Sequence, residues 1–384
     1  MNFILNFYNK IRGHLAGFLL VVFSIAISIA FAEFSAQYFL YERFAPSNGK
    51  KIVSIMVGDS IAPDNPIERR PYFLYVNRPG YTSKDAVQHN QFGYRGPEIS
   101  QKKPKGTIRI LAIGASTTYG YMLDSPAQAW PAQLEKILSK SFSDKKIEVI
   151  NAGLPGGLSS ESLISYLFRD RYFEPDIVVI HNGGNDAAPL FYADYQPDYS
   201  SFRKWDPIGV QVRPAEGYLL KRSFLVRWIY SVWLNDQNLA SYIPQPPQWP
   251  SNSEMKINIE KNQPIGYERY LELLVQQIQR DGAQAVLFPF YLADKSVYKE
   301  LPKEARYVES IHDLDEKAIN KNIATMKLIG KKYEAPYIEL SKGSIPNGFF
   351  FDHCHLKEDG ETIKASFVAE KLTPLVTRLN ARQQ

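Results

Sequence analysis

From Thr107 onward the sequence alternates short runs rich in Ile and Val with longer amphipathic stretches, and this alternation narrows the fold to one class. The runs at 107–114, 147–152, 176–182, 284–290 and 336–340 have the length and near-continuous apolarity of strands buried on both faces. Between or after them a helical period recurs over 127–141, 160–172, 267–281, 315–333 and 358–378. Five strands and five helices in alternation predict an α/β domain built on a doubly wound, flavodoxin-like, five-stranded parallel sheet. Ligands bind beyond the carboxyl ends of the strands in such a sheet, so the residues just after each strand are the first candidates for function.

The N-terminal part has a different texture. Residues 15–32 carry no charge, close to the ~20 residues an α-helix needs to cross a bilayer. Lys10 and Arg12 precede the run, while Glu33 is the first charge after it. The positive-inside rule therefore predicts a cytoplasmic tail (1–12), a single-pass inner-membrane anchor (13–32) and everything later on the periplasmic side. Ala30-Phe31-Ala32 also fits the cleavage site of a secretory signal peptide, which would deliver the rest to the same compartment. Residues 33–105, punctuated by Pro and Gly, read as a connector leading to a domain at 106–384. Within that domain, 187–266 is too long for an ordinary strand-to-helix loop and reads as an insertion. It holds Trp205, Trp228, Trp233 and Trp249, which fit a locally packed subdomain or a groove for sugar or acyl groups.

Composition removes several function classes. The balance of 45 basic and 40 acidic residues is scattered, which does not argue for nucleic acid. The single cysteine, Cys354, allows neither an intramolecular disulfide nor a Cys-rich zinc site. No lysine stands where a phosphate-binding Walker loop needs one, and no dinucleotide fingerprint is present, so neither cofactor nor metal is expected. Composition leaves the oligomeric state open.

The first strand ends in Gly114-Ala115-Ser116-Thr117, where Ser116 is either a helix N-cap or a nucleophile at the carboxyl edge of the sheet. The second ends in Asn151-Ala152-Gly153 and the third in Gly183-Gly184-Asn185-Asp186. These are turn formers, or donors for a developing oxyanion. Before the last helix comes Asp352-His353-Cys354-His355. There a carboxylate three residues from an imidazole can orient it, with His353 as the alternative base. The same cluster could suggest a metal, but neighbouring residues rarely chelate one ion.

In this order and on these elements the four segments resemble the blocks of the SGNH (GDSL-type) hydrolase superfamily. The usual Gly-Asp-Ser is Gly-Ala-Ser here, so Ala115 removes a carboxylate that is not a triad member. The segment Asn90-Gln91-Phe92-Gly93-Tyr94-Arg95-Gly96 resembles the lead-in of membrane-anchored bacterial envelope members. The resemblance implies a serine esterase with the triad Ser116, His355 and Asp352. Its oxyanion hole would be the amides of Ser116 and Gly153 and the side chain of Asn185. The expected substrate is an acyl ester of envelope glycans or lipids. The alternatives are an O-acyltransferase with the same residues and a noncatalytic envelope-binding protein.

Overall fold

The computed structural model describes residues 2–57, 66–83, 88–203, 214–237 and 249–383. Its contacts divide the chain into two compact units, Met1–Pro63 with Trp205–Pro246, and Asp64–Lys204 with Pro247–Gln384.

The first unit is helical. Helix α1 (Asn2–Ser35) runs on without a break into a π-helical stretch, Ala36–Phe44, and is followed by α2 (Ser47–Val57). Residues His14–Phe44 form a helix of 31 residues with mean hydropathy 2.6 in its most apolar window, long and apolar enough to cross a membrane. A short helix α3 (Ser116–Tyr119) belongs to the second unit; α4 (Trp130–Ser141) and α5 (Ser159–Phe168) follow it there. The chain then returns to the first unit for α6 (Pro214–Arg222) and α7 (Phe224–Trp233). Ile52, Val53 and Val57 of α2 pack with Leu220 and Leu234 in a small core. Glu33 accepts hydrogen bonds from the Ser223 hydroxyl (2.7 Å) and the Phe224 amide, capping the start of α7. Half of the expected insertion thus packs with the N-terminal helix, because its apolar residues find a core there. The expected connector holds regular structure too short for a sequence period to reveal: α2 and an antiparallel hairpin of β1 (Ile67–Arg70) and β2 (Phe73–Asn77).

The second unit is the α/β domain. Its sheet has strands β3 (Thr107–Gly114), β4 (Lys146–Gly153), β5 (Ile177–His181) and β6 (Gln284–Leu287), all parallel, in the order β4-β3-β5-β6. The expected count of five is corrected to four. Residues 336–340 contribute one parallel bridge, Leu287 to Tyr337, beside β6. The Leu287 amide donates to Pro336 O and the Ile338 amide to Leu287 O, both at 2.8 Å, and the chain then turns away, with the Leu340 amide on Ile338 O. Apolarity marked the burial of Ile338 and Leu340, which is not the same as a ladder.

Alternation along each strand sends side chains to opposite faces. Leu111, Ile113, Ile150, Val178 and Ile180 meet α5, α9 (Ile265–Arg280) and α10 (His312–Lys332). Ile108, Ile110, Ile147, Ile177 and Val179 meet α4 and α11 (Glu358–Gln383). A further helix, α8 (Asn252–Lys261), packs Met255 and Ile259 against Leu190 and Phe191.

Arg109 sits fully buried on β3. Its guanidinium donates to Glu148 (2.6 Å) and to the carbonyls of Gln101, Phe173 and Ser100. Replacing it by Met leaves a carboxylate and three carbonyls without their donor. Arg109→Met should therefore cost about 3–5 kcal/mol of unfolding free energy, measured by urea titration. A loss below about 1 kcal/mol would mean that water replaces the guanidinium there.

Candidate active site

The turn after β3 carries the first candidate. Strand β3 ends at Gly114, and Ser116 opens α3. The turn is held from beneath by two buried cations. Arg95 donates to Tyr119 O (3.0 Å), Gly120 O and Leu123 O (2.9 Å), with its guanidinium 4.5 Å from the Tyr119 ring centroid. Lys364 Nζ donates to Thr117 O at 2.9 Å. Burial pushes Lys364 down to about 8, with Glu361 drawing it back up. The segment 90–96 thereby gains a physical role, since its Arg95 satisfies the inward-facing carbonyls of the Ser116 turn.

Ser116, Asp352 and His355 come together. His355 Nε2 lies 2.9 Å from Ser116 Oγ, and its Nδ1 lies 2.7 Å from Asp352 Oδ2. The other carboxylate oxygen accepts the amides of Cys354 and His355, both at 2.8 Å. Burial raises the Asp352 pKa, but the His355 imidazole and these amides outweigh it and hold the carboxyl well below the usual range. His353 takes no part in this chain. Its Nδ1 stands 3.9 Å from Asp352 Oδ1 and makes no hydrogen bond, and burial pushes the ring down to about 4, so it is neutral at pH 7.

Ser116 and Asn185 line one cleft, together with Gly157 and Gly184. Asn185 Nδ2 donates one hydrogen to Gly157 O (2.9 Å), leaving its second available. Asp186 points the other way. It accepts from the amide and hydroxyl of Ser159 and from Tyr199 OH (2.8 Å), tying the loop after β5 to the start of α5.

Gly153 does not offer its amide to the cleft. The N–H donates to Asn151 Oδ1 at 3.0 Å, and a Cβ at this position would collide with the Tyr119 backbone. The glycine is there so that the end of β4 can approach the turn carrying Ser116. Three residues on, Gly156 has φ +72 and an amide with no acceptor among the described residues. The oxyanion role expected of Gly153 rests on the Asn151-Ala152-Gly153 block, and Gly156 is not among the residues that block names.

Asp352, Cys354 and His355 present ligand atoms within 4.8 Å of one another. His355 Nδ1 is already engaged by Asp352, and burial pushes the Cys354 thiol well up, so the cluster holds a thiol rather than the thiolate a metal takes.

Residues 112–363 match the GDSL-like Lipase/Acylhydrolase family. The chain belongs to that family. It is a carboxylic ester hydrolase with the SGNH architecture, as the order of its blocks implied. Similar solved structures include a lipase/acylhydrolase from Enterococcus faecalis, at 18% identity and TM-score 0.38, covering 69% of this chain and 95% of that one. An acetylxylan esterase from Geobacillus stearothermophilus follows at 14% identity and TM-score 0.40, covering 69% and 94%. An α/β hydrolase enzyme from the metagenome of Lake Arreo, Spain, shares 12% identity at TM-score 0.41, with the same coverage. No curated protein matches the sequence.

The depressed Asp352 carboxyl links this cluster to folding. A group whose folded pKa lies below its ordinary 3.8 contributes stability that is present above that value and lost as pH falls through the folded one. The gap in unfolding free energy between wild type and Asp352→Asn should narrow from about pH 6 to about pH 3. Urea titrations at the two pH values measure it, and a constant gap would mean that the carboxylate charge contributes nothing.

Proposed function

We propose that the chain is a membrane-anchored serine esterase that removes acyl groups, chiefly acetyl, from cell-envelope glycans or lipids. The observation that carries this reading is the hydrogen-bonded chain from Ser116 through His355 to Asp352. With Nδ1–H donated to Asp352, the imidazole keeps Nε2 unprotonated and aimed at the Ser116 hydroxyl. Nε2 takes that proton as Oγ attacks the ester carbonyl, and returns it to the departing alcohol. Water then repeats the sequence on the acyl-serine and releases the acid. The oxyanion is met by the Ser116 amide and the free hydrogen of Asn185 Nδ2, with the unpaired Gly156 amide in the role first given to Gly153. Ala115 lies at the cleft wall and takes no part in proton transfer.

The anchor reading draws support from the length of the apolar helix. His14–Phe44 spans 31 residues, more than the ~20 a bilayer crossing needs, whereas the apolar core of a signal peptide runs to about 7–15. With Lys10 and Arg12 on the cytoplasmic side, the hydrolase domain is periplasmic.

Ser116→Ala should lower turnover of p-nitrophenyl acetate by at least about 10³-fold while the urea midpoint stays unchanged. Retained turnover in the folded variant would remove Ser116 from the mechanism. The full-length protein should sediment with membranes and resist carbonate extraction, with its domain open to protease added on the periplasmic side. A soluble form beginning at Glu33 would replace the anchor by a cleaved signal.

A further inference from the structure

Three polar groups in the Ser116 cleft are left over once the hydrolytic chain is accounted for. Asn182, at the end of β5, is 6% exposed, and its Nδ2 has no hydrogen-bond partner. His353 is 8% exposed, with Nδ1 likewise unpaired. Asp315, in the first turn of α10, faces the same cleft and makes no hydrogen bond or ion pair among the described residues. Burial with no compensating donor pushes its carboxyl up to about 7, so near neutrality it offers both an acceptor and an O–H donor. The three come from separate elements, so no single local turn explains their convergence.

Buried polar groups are paired in folded proteins almost without exception, and two buried unpaired ones beside the half-buried, unpaired Asp315 carboxyl in one cleft point to a ligand that pairs them. Together they supply an amide donor, an imidazole nitrogen and a carboxyl, a set that matches hydroxyl groups, each of which both donates and accepts. An alkyl chain lodged there would leave all three desolvated and unpaired. A phosphorylated or carboxylated alcohol would meet the Asp315 carboxyl. A separate apolar wall formed by Leu340, Ile345, Phe350 and Leu356 adjoins the site, sharing Thr117 and Cys354 with the cleft, and is suited to the acyl side.

We propose that Asn182, Asp315 and His353 form a hydroxyl-binding subsite that receives the alcohol portion of the ester as a neutral sugar. This rests on the hydrolytic reading of Ser116 and chooses glycan over lipid esters within it. The three are specificity residues. They touch the leaving sugar and leave the acyl transfer itself to Ser116 and His355.

The test compares 6-O-acetylglucose with p-nitrophenyl acetate on the full-length protein in detergent. Asp315→Leu should lower the ratio of kcat/KM values, sugar ester over aryl ester, by about tenfold, chiefly through KM of the sugar ester. Asp315→Asn, which keeps an acceptor and a donor, should restore most of the ratio. An unchanged ratio in Asp315→Leu, with the protein folded, overturns the subsite. If wild type hydrolyses neither ester, the hydrolytic reading fails by itself, and calorimetry of 6-O-acetylglucose with Ser116→Ala decides the subsite. Binding that is lost on adding Asp315→Leu upholds it, and absence of binding in Ser116→Ala overturns it.

Discussion

Parallel pairing in one register aligns the ends of three strands. Gly114 of β3 stands opposite Gly153 of β4 on one side and His181 of β5 on the other, so the three following loops leave the sheet at the same level. Ser116 and Asn185 line one cleft for that reason, although they lie far apart in the sequence. The arrangement exposes a difficulty as well. A tight turn at the edge of a buried sheet directs its carbonyls inward, where water does not reach them. Arg95 and Lys364 answer it from opposite ends of the domain sequence, and Glu361 beside Lys364 accepts the Trp130 amide at 2.7 Å. These are buried charges whose partners are mostly backbone, the case in which removal of one member is costly.

Strand and helix positions were largely legible because burial on both faces leaves a continuous apolar signal. Strand β3 begins and ends where its apolar run does, and α5, α9 and α10 start within three residues of the expected positions. The fifth strand failed on the difference between burial and pairing. Ile338 is 1% exposed, yet its neighbours turn away after a single bridge. Ser116 was legible because it follows the end of β3, and Asp352 and His355 because their Asp-x-x-His spacing falls in the short segment before α11. The role given to Gly153 was not, since the amide that occupies Asn151 Oδ1 is Gly153's own, a local loop closure that no pattern of residue types announces. Asn182 and Asp315 were passed over for a related reason. One closes a strand and the other opens a helix, so local structure gave each a sufficient reason to be polar. Only the fold reveals that they face the same space.

The position of Asp352, His355 and Lys364 in the chain has a consequence in time. All four strands of the sheet are complete by Leu287, and the turn carrying Ser116 is formed from residues made long before the end. Its imidazole partner and one of its two supporting cations arrive only with the segment from Asp352 to Lys364, which docks as α11 closes over the sheet. A nascent chain with all four strands made still lacks both the imidazole beside Ser116 and the helix that covers Ile108, Ile110 and Ile177. Loss of the residues from Asp352 onward would take away the imidazole beside Ser116, the Lys364 donor to Thr117 O and the cover of one sheet face together, which ties completion of the core to completion of the cluster at the sheet's edge.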